Sequence, residues 1–143
     1  MDEPTEVYLD PSNDSVRRLF ERGIDGPLVM LNLIRLRHQA DYSAHPELAP
    51  PEPISGRAAY DRYIAHTLPF LRATGGSLDY LGEGGPYLVG PAEHGWDLVM
   101  LVRQASVQSF LAFATNTEYL AGLGHRVAAV RDSRILPLVD VPV

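Results

Sequence analysis

Three segments of the chain are apolar on both of the faces that a β-strand presents. Side chains alternate between the two faces of a strand, and residues 28–37 are apolar at nearly all even positions and, over most of their length, at odd positions as well. Residues 96–102 and 135–139 repeat this pattern. A sheet with helices on one side and water on the other would carry polar residues on its second face. The pattern therefore predicts strands whose second face is also covered.

Other apolar positions have helical spacing. A short amphipathic helix is predicted over 13–22, between candidate N-caps at 12–14 and a stop at Gly23. A longer helix is predicted over 59–73, where the apolar stripe recurs at i, i+3, i+4 and i+7. That stripe consists of Tyr60, Tyr63, Ile64, Thr67, Leu68 and Leu71. Pro69 lies inside this helix, where it costs roughly 3 kcal/mol, so we expect a kink or a restart.

The remaining segments complete an alternating order. A strand is predicted over 77–82, with a second extended piece at 87–89 after the glycines at 84 and 85. Ser106 caps a helix that ends at 115–117, a further helix carries Leu120, Leu123, Val127 and Val130, and a last strand covers 133–139.

The resulting order is β-α-β-β-α-β after one extra N-terminal helix. It predicts an α+β, ferredoxin-like antiparallel sheet with both helices on one face. We divide the chain into an N-terminal extension, residues 1–26, and a domain of residues 27–143. The other apolar face of the sheet needs a cover, and an identical sheet is the simplest one. The sequence therefore predicts a homodimer joined through the sheet faces.

Composition excludes several classes of function. The net charge of −6 argues against a broad nucleic-acid surface. The chain has no cysteine, which excludes disulfides and thiolate chemistry. Its five histidines lack the spacing of a zinc site, and no nucleotide-binding glycine loop occurs. We expect no cofactor and no metal. Because the chain shows no signal pattern and no apolar run of ~20 residues, we expect a cytoplasmic location and no membrane contact.

Several residues, taken in order and spacing, resemble the family catalogued as domain of unknown function 1330, within the dimeric α+β barrel superfamily. They are Met30-Leu31-Asn32-Leu33, Tyr60, Tyr63, Gly75-Gly76, Trp96-Asp97, Phe110, Glu118-Tyr119, His125-Arg126 and Asp132-Ser133-Arg134. They span roughly residues 27–137. The resemblance implies this fold and a dimer. By analogy with the superfamily, whose members include cofactor-independent monooxygenases and lactone isomerases, it implies a cavity between sheet and helices.

Asn32 is the most unusual candidate for a binding residue. It lies in the middle of an apolar strand, and a buried amide without a partner costs ~1–3 kcal/mol. One interpretation is a structural hydrogen bond to nearby backbone. The other is a group that orients a ligand in an apolar pocket.

Six further residues are candidates, each with a structural alternative. His66 and His125 have the side chain of a general base or are half-exposed surface residues. Tyr63, Tyr119 and Arg126 present phenols and a cation to a ligand, although Arg126 is equally consistent with an ion pair to Glu118 or Asp132. Trp96 is a core residue or a ligand-contacting wall.

The long loop 38–56, with four prolines, is expected near a cavity mouth formed by Asn32, Tyr63, His66 and Trp96, or against a partner subunit.

Two functions remain open. The first is a small-molecule-binding protein, which as an enzyme would need no cofactor and would catalyse proton transfer or oxygenation of a small apolar substrate. The alternative is a non-catalytic scaffold or sensor dimer whose interior is filled by side chains.

Overall fold

The computed structural model describes residues 6–143. Its helices are α1 Asn13–Glu21, α2 Gly56–Ala73, α3 Val107–Ala114, α4 Thr117–Ala121 and α5 Leu123–Ala129. Its strands are β1 Leu28–Leu36, β2 Ser77–Pro86, β3 Gly95–Gln104 and β4 Val130–Leu138. A single 3₁₀ turn, Pro46–Leu48, lies in the loop between β1 and α2.

The four strands form one antiparallel sheet in the order β2-β3-β1-β4. The two most apolar strands, β1 and β3, lie in the centre, where both of their edges are paired. This strand order, with two connections that pass through helices, confirms the predicted α+β, ferredoxin-like fold.

The helices cover one face of the sheet. Even positions of β1 point toward them, and Leu28, Met30 and Ile34 are at most 3% exposed. Ile34 belongs to a large core that also contains Tyr60 of α2. Leu28 and Met30 form a second cluster with Leu19 of α1 and Val107 of α3. The extra N-terminal helix is therefore packed against the domain.

The opposite face of the sheet, here called the open face, is apolar in its middle. Leu31 pairs with Leu101 of β3 and with Leu136 of β4, and paired residues share a face. Tyr80 of β2, which pairs with Leu101, is 55% exposed, and Leu136 is 54% exposed. Leu31 and Leu101 are half-buried and belong to neither core cluster of the described residues.

The restart expected at Pro69 and the second extended piece expected at 87–89 are both wrong, whereas a kink at Pro69 stays a prediction. Helix α2 runs through Pro69 without a restart, because its buried positions before and after the proline, Thr67 and Leu71, hold both halves to the sheet. Strand β2 runs on to Pro86, and residues 87–89 are not a strand. A Cβ at Gly84 would lie 2.2 Å from the Trp96 carbonyl oxygen, so glycine permits β2 and β3 to approach closely there.

The helical segment after Asn116 is split. Gly122 ends α4 and precedes α5. Within residues 6–143, no helix is both long and apolar enough to cross a membrane. In the same range, no group of three or more His, Asp or Glu side chains could hold a metal ion.

Candidate functional site

A pocket of about 260 Å³ lies between the sheet and helices α2 to α5. Most of its lining is aliphatic or aromatic, as in small-molecule sites generally. The polar residues in the lining are Asp10, Asn32, Tyr60, Tyr63, Thr67, Gln104, Tyr119 and Arg126. A second cavity of about 260 Å³ adjoins it beneath α1. Leu9, Asp10 and Pro11 line both spaces, so the segment before α1 lies between them.

Asn32 lines the pocket and is 8% exposed. Its Nδ2 donates to the Met30 carbonyl oxygen at 3.0 Å, which is the backbone partner that the structural interpretation requires. Its Oδ1 has no hydrogen-bonding partner among the described residues. The amide is thus held in place by one end and keeps an acceptor for a ligand at the other.

Three tyrosines form an aromatic wall of the pocket. The hydroxyl groups of Tyr63 and Tyr119 are 2.7 Å apart, so one donates to the other and one hydroxyl hydrogen remains. The Tyr60 hydroxyl donates weakly to Met100 Sδ at 3.9 Å. Burial raises the pKa of Tyr60 and of Tyr119 well above the usual value. These phenols are therefore protonated at neutral pH and act as hydrogen-bond donors rather than bases.

Arg126 is the buried cation of the pocket, at 8% exposure. Its Nη1 donates to the Leu9 carbonyl oxygen at 2.8 Å and its Nη2 to Ser133 Oγ at 3.1 Å. The carboxylate nearest to it among the described residues belongs to Asp10, at 4.0 Å, with a side chain that is 74% exposed. The ion pairs with Glu118 or Asp132 that the sequence left open are absent from this part of the chain.

Besides Asn32 Oδ1, two fully buried polar atoms in the lining have no partner within the described residues. They are Thr67 Oγ1 and Gln104 Oε1, in residues that are 8% and 1% exposed. Buried polar atoms are nearly always hydrogen-bonded. Both residues were missed as binding candidates, although each is a polar interruption of an apolar pattern, Thr67 in the stripe of α2 and Gln104 on the even face of β3.

Neither histidine candidate lines the pocket. His66 lies against α4, where its Nε2 is 2.9 Å from the Glu118 carbonyl oxygen. His125 packs edge-on against Tyr42, with Nδ1 2.7 Å from the Tyr42 hydroxyl. Burial, aided by the charge of Arg62, lowers the pKa of His125. The expected grouping of His66 with Asn32 and Tyr63 is wrong, because the imidazole is directed at helix carbonyls instead.

Trp96 also lies outside the pocket. The guanidinium of Arg35 stacks on its ring at 4.0 Å, and Nε1 donates to the Tyr87 hydroxyl at 2.7 Å. Of the seven residues proposed from the sequence, the structure therefore brings four to one pocket, namely Asn32, Tyr63, Tyr119 and Arg126.

The pocket is bordered by a segment other than the predicted one. Loop 38–56 contributes no residue to the lining; it packs on α5 through Asp41 N, which donates to Ala128 O, and through Tyr42. The border is formed by residues 7–11, here called the strap. Tyr8 N donates to Asp132 Oδ1 at 2.9 Å, and Ser133 N donates to Tyr8 O at 2.8 Å.

Comparison with known proteins gives relatives of unknown function. The methylated RPA0582 protein is 31% identical with a TM-score of 0.81, over 95% of this chain and 96% of that one. The RPA0582 protein of unknown function from Rhodopseudomonas palustris is 31% identical with a TM-score of 0.79, over 96% of this chain and 99% of that one. A DABB family protein with a ferredoxin-like fold from Mesorhizobium loti is 12% identical, with a TM-score of 0.48, over 82% and 100%. No family model and no curated protein matches the chain.

Proposed function

The chain belongs to the family of the Rhodopseudomonas palustris RPA0582 protein, and from this premise we propose that it binds a small, largely apolar molecule in the pocket between sheet and helices. One observation carries the proposal. The pocket is lined by buried polar atoms that lack protein partners, Thr67 Oγ1 and Gln104 Oε1. Such atoms cost ~1–3 kcal/mol each when unsatisfied, and a bound molecule would satisfy them.

The pocket also supports one of the two functions that the sequence left open. A scaffold or sensor without a ligand would fill the same space with side chains, because protein interiors are close-packed. A space of about 260 Å³ that reaches Asn32 supports binding instead. It is slightly smaller than the pockets of ~300–1,000 Å³ that hold drug-sized ligands, so the molecule is small.

The chemistry supported by the pocket is hydrogen-bond donation to a ligand oxygen. Tyr63 and Tyr119 share one free hydroxyl hydrogen, and Arg126 adds a cation. Proton abstraction by His66 or His125, and oxygenation of a substrate, remain predictions without a supporting contact. If the protein is an enzyme, its polarising groups are these phenols and the guanidinium.

We also propose that two copies associate through their open faces. The exposed Tyr80 and Leu136, together with the half-buried Leu31 and Leu101, support this arrangement because exposed apolar patches of this kind mark interaction surfaces. Membership of the domain of unknown function 1330 family, and a cytoplasmic location, stay predictions from the sequence.

Replacement of Asn32 by leucine tests the pocket. Native mass spectrometry of the purified wild-type protein should reveal a small-molecule adduct that is lost on denaturation. Asn32→Leu should lose the adduct while remaining folded, because leucine has a similar size and removes the free Oδ1 acceptor. Asn13→Leu, the same change at the exposed start of α1, should keep it. An adduct-free wild-type protein whose Asn32→Leu variant is simply more stable would contradict binding.

A further inference from the structure

The charge of Arg126 is incompletely neutralised by the protein. Its two close partners, Leu9 O and Ser133 Oγ, are neutral, and the Asp10 carboxylate is 4.0 Å away in a largely exposed side chain. Burial of a cation without a paired anion is costly. A guanidinium has five N–H donors, of which these two hydrogen bonds use two. Donors of Arg126 therefore remain for an anion that enters the pocket.

The form of the guanidinium indicates which anion fits. Its planar set of donors matches the two oxygens of a carboxylate. Arg126 also opposes the rise in the pKa of Tyr60 and Tyr119 that burial causes, so its charge acts on the aromatic wall of the pocket. Arg126 and the Tyr63–Tyr119 pair line the same pocket, so one ligand can contact both the guanidinium and the phenols.

The other polar end of the pocket requires a donor from the ligand. Gln104 Oε1 is an acceptor without a partner in the described chain. Gln104 pairs with Leu28, whereas Ser133, which holds Arg126, pairs with Ile34. The two polar ends thus lie toward opposite ends of β1, and apolar residues such as Met30, Leu68 and Met100 lie in the lining with them. The ligand is consequently polar at both ends and apolar between them.

We infer that the pocket selects a small organic acid whose carboxylate binds Arg126 and whose far end donates a hydroxyl or amide hydrogen to Gln104. This inference rests on the proposed function, and it names the chemical class that the same pocket takes. The body of the acid is largely apolar, because most of the lining is aliphatic or aromatic, and the polar groups of Asn32 and Thr67 lie in the same lining.

Three matched probes test the inference. They are 6-hydroxyhexanoate, hexanoate, which lacks the hydroxyl group, and 1,6-hexanediol, which lacks the charge. Homologues of other chain lengths vary the distance between the two polar groups. Isothermal titration calorimetry should show at least tenfold weaker binding of the diol than of the hydroxy acid, and about tenfold weaker binding of hexanoate, because each loses one hydrogen-bonded contact to a buried group.

Variants assign each preference to its residue. Arg126→Gln should abolish the preference for acid over diol, and Gln104→Leu the preference for the hydroxyl group. Arg126→Lys keeps the charge but not the paired geometry, so it should retain part of the preference even if Arg126→Gln does not fold. Arg131→Gln, at an exposed arginine of β4, is the matched control and should change neither.

The outcomes separate the two levels of the proposal. If the wild-type protein binds the diol and the hydroxy acid equally, and Arg126→Lys does the same, an organic acid is the wrong ligand class. Small-molecule binding in the pocket would still stand. If no probe of any length binds and native mass spectrometry finds no adduct, the acid and the proposed function both fail. Loss of the acid preference in Arg131→Gln would also overturn the assignment to Arg126.

Discussion

At the scale of single residues, the pocket is lined by polar groups whose hydrogen-bonding capacity the protein uses only in part or not at all. Asn32 donates to Met30 O and keeps its acceptor. Tyr63 and Tyr119 bind each other and keep one hydrogen. Thr67 Oγ1 has no partner at all within residues 6–143. Such groups reduce the stability of the free protein, and a binding site can retain them because the ligand restores the missing hydrogen bonds.

Thr67→Val measures this cost directly. Valine has nearly the shape of threonine but no hydroxyl group, so the change removes an unsatisfied polar atom without making a cavity. We expect the free energy of unfolding in urea to rise by about 1 kcal/mol. Ligand binding, by calorimetry, should weaken in the same variant.

Thr74→Val is the matched control, since the Thr74 hydroxyl donates to Leu71 O at 3.0 Å. It should leave the protein unchanged or less stable, by up to about 1 kcal/mol. Equal stability changes in the two variants would show that the Thr67 hydroxyl group is satisfied in solution.

Sequence reasoning found some of the pocket residues whose chemistry contradicts their local pattern, and it missed Thr67 and Gln104. Asn32 interrupts an apolar strand, and Arg126 lies among small apolar residues of α5. It did not show that His66, His125 and Trp96 lie outside the pocket, because residue type does not give the direction of a side chain. The carbonyl groups of α4 bind His66, and Arg35 stacks on Trp96. Neither contact leaves a periodic signal in the sequence.

At the scale of elements, the strap is the part of the pocket held mainly by hydrogen bonds. Val7 and Tyr8 are more than half exposed, and Leu9 is 37% exposed. Asp132 organises the attachment, because it accepts from Tyr8 N and also binds Arg35 at 2.9 Å and Arg134 at 2.6 Å. Burial raises the pKa of Asp132, but the hydrogen bonds from Tyr8 and Arg134 outweigh burial, so the net shift is downward.

This lowered pKa predicts an acid limit to the attachment. A carboxyl group whose pKa is lower in the folded protein stabilises it fully above the unfolded pKa of ~3.9, and that contribution is lost as pH falls through the folded value. Asp132→Asn should therefore lower the stability at pH 7 by about 3 kcal/mol, since it leaves two arginines near a neutral group. It should also accelerate hydrogen exchange at the Ser133 amide, which donates to Tyr8 O.

Asp140→Asn is the control for this change. Asp140 is 3.7 Å from Arg103 and its side chain is 81% exposed, so the effect should be under about 1 kcal/mol. Unchanged exchange at Ser133 in Asp132→Asn would show that the strap is held by other contacts.

The strap also shows what sequence patterns omit. Residues 7–11 have neither helical nor strand periodicity, and their place is set by contacts with residues more than 110 positions away, such as Asp132 and Arg126. The proline-rich loop 38–56 had the composition of a binding loop, yet it packs on α5 through Tyr42.

The regular elements were predictable because each buries a periodic face. Pro69 failed as a break because packing on both sides of it outweighs one lost hydrogen bond.

At the scale of the molecule, the sheet has two apolar faces and the described chain covers one of them. Leu31, Leu101 and their neighbours on the open face belong to neither core cluster. Apolar residues at both even and odd positions of β1 and β3 predict this property from the sequence. A stable dimer buries ~800 Å² on each partner, and a four-stranded sheet face offers a flat surface for such an interface.

Leu136→Arg tests the association without disturbing the single chain. Leu136 is already 54% exposed on the open face, so arginine is tolerated there in one chain, whereas a two-fold interface would bury the new charge twice. Light scattering should therefore show wild-type protein at twice the chain mass of 15.8 kDa and the variant at the chain mass. The melting temperature of the wild type, but not of the variant, should rise with protein concentration.

Val127→Arg, at a 37% exposed position of α5, is the matched control and should remain dimeric. Because the pocket lies on the other face of the sheet, the monomeric variant should still bind the ligand, and this result would separate assembly from binding. A wild-type protein that scatters light as a monomer at micromolar concentration would contradict the dimer.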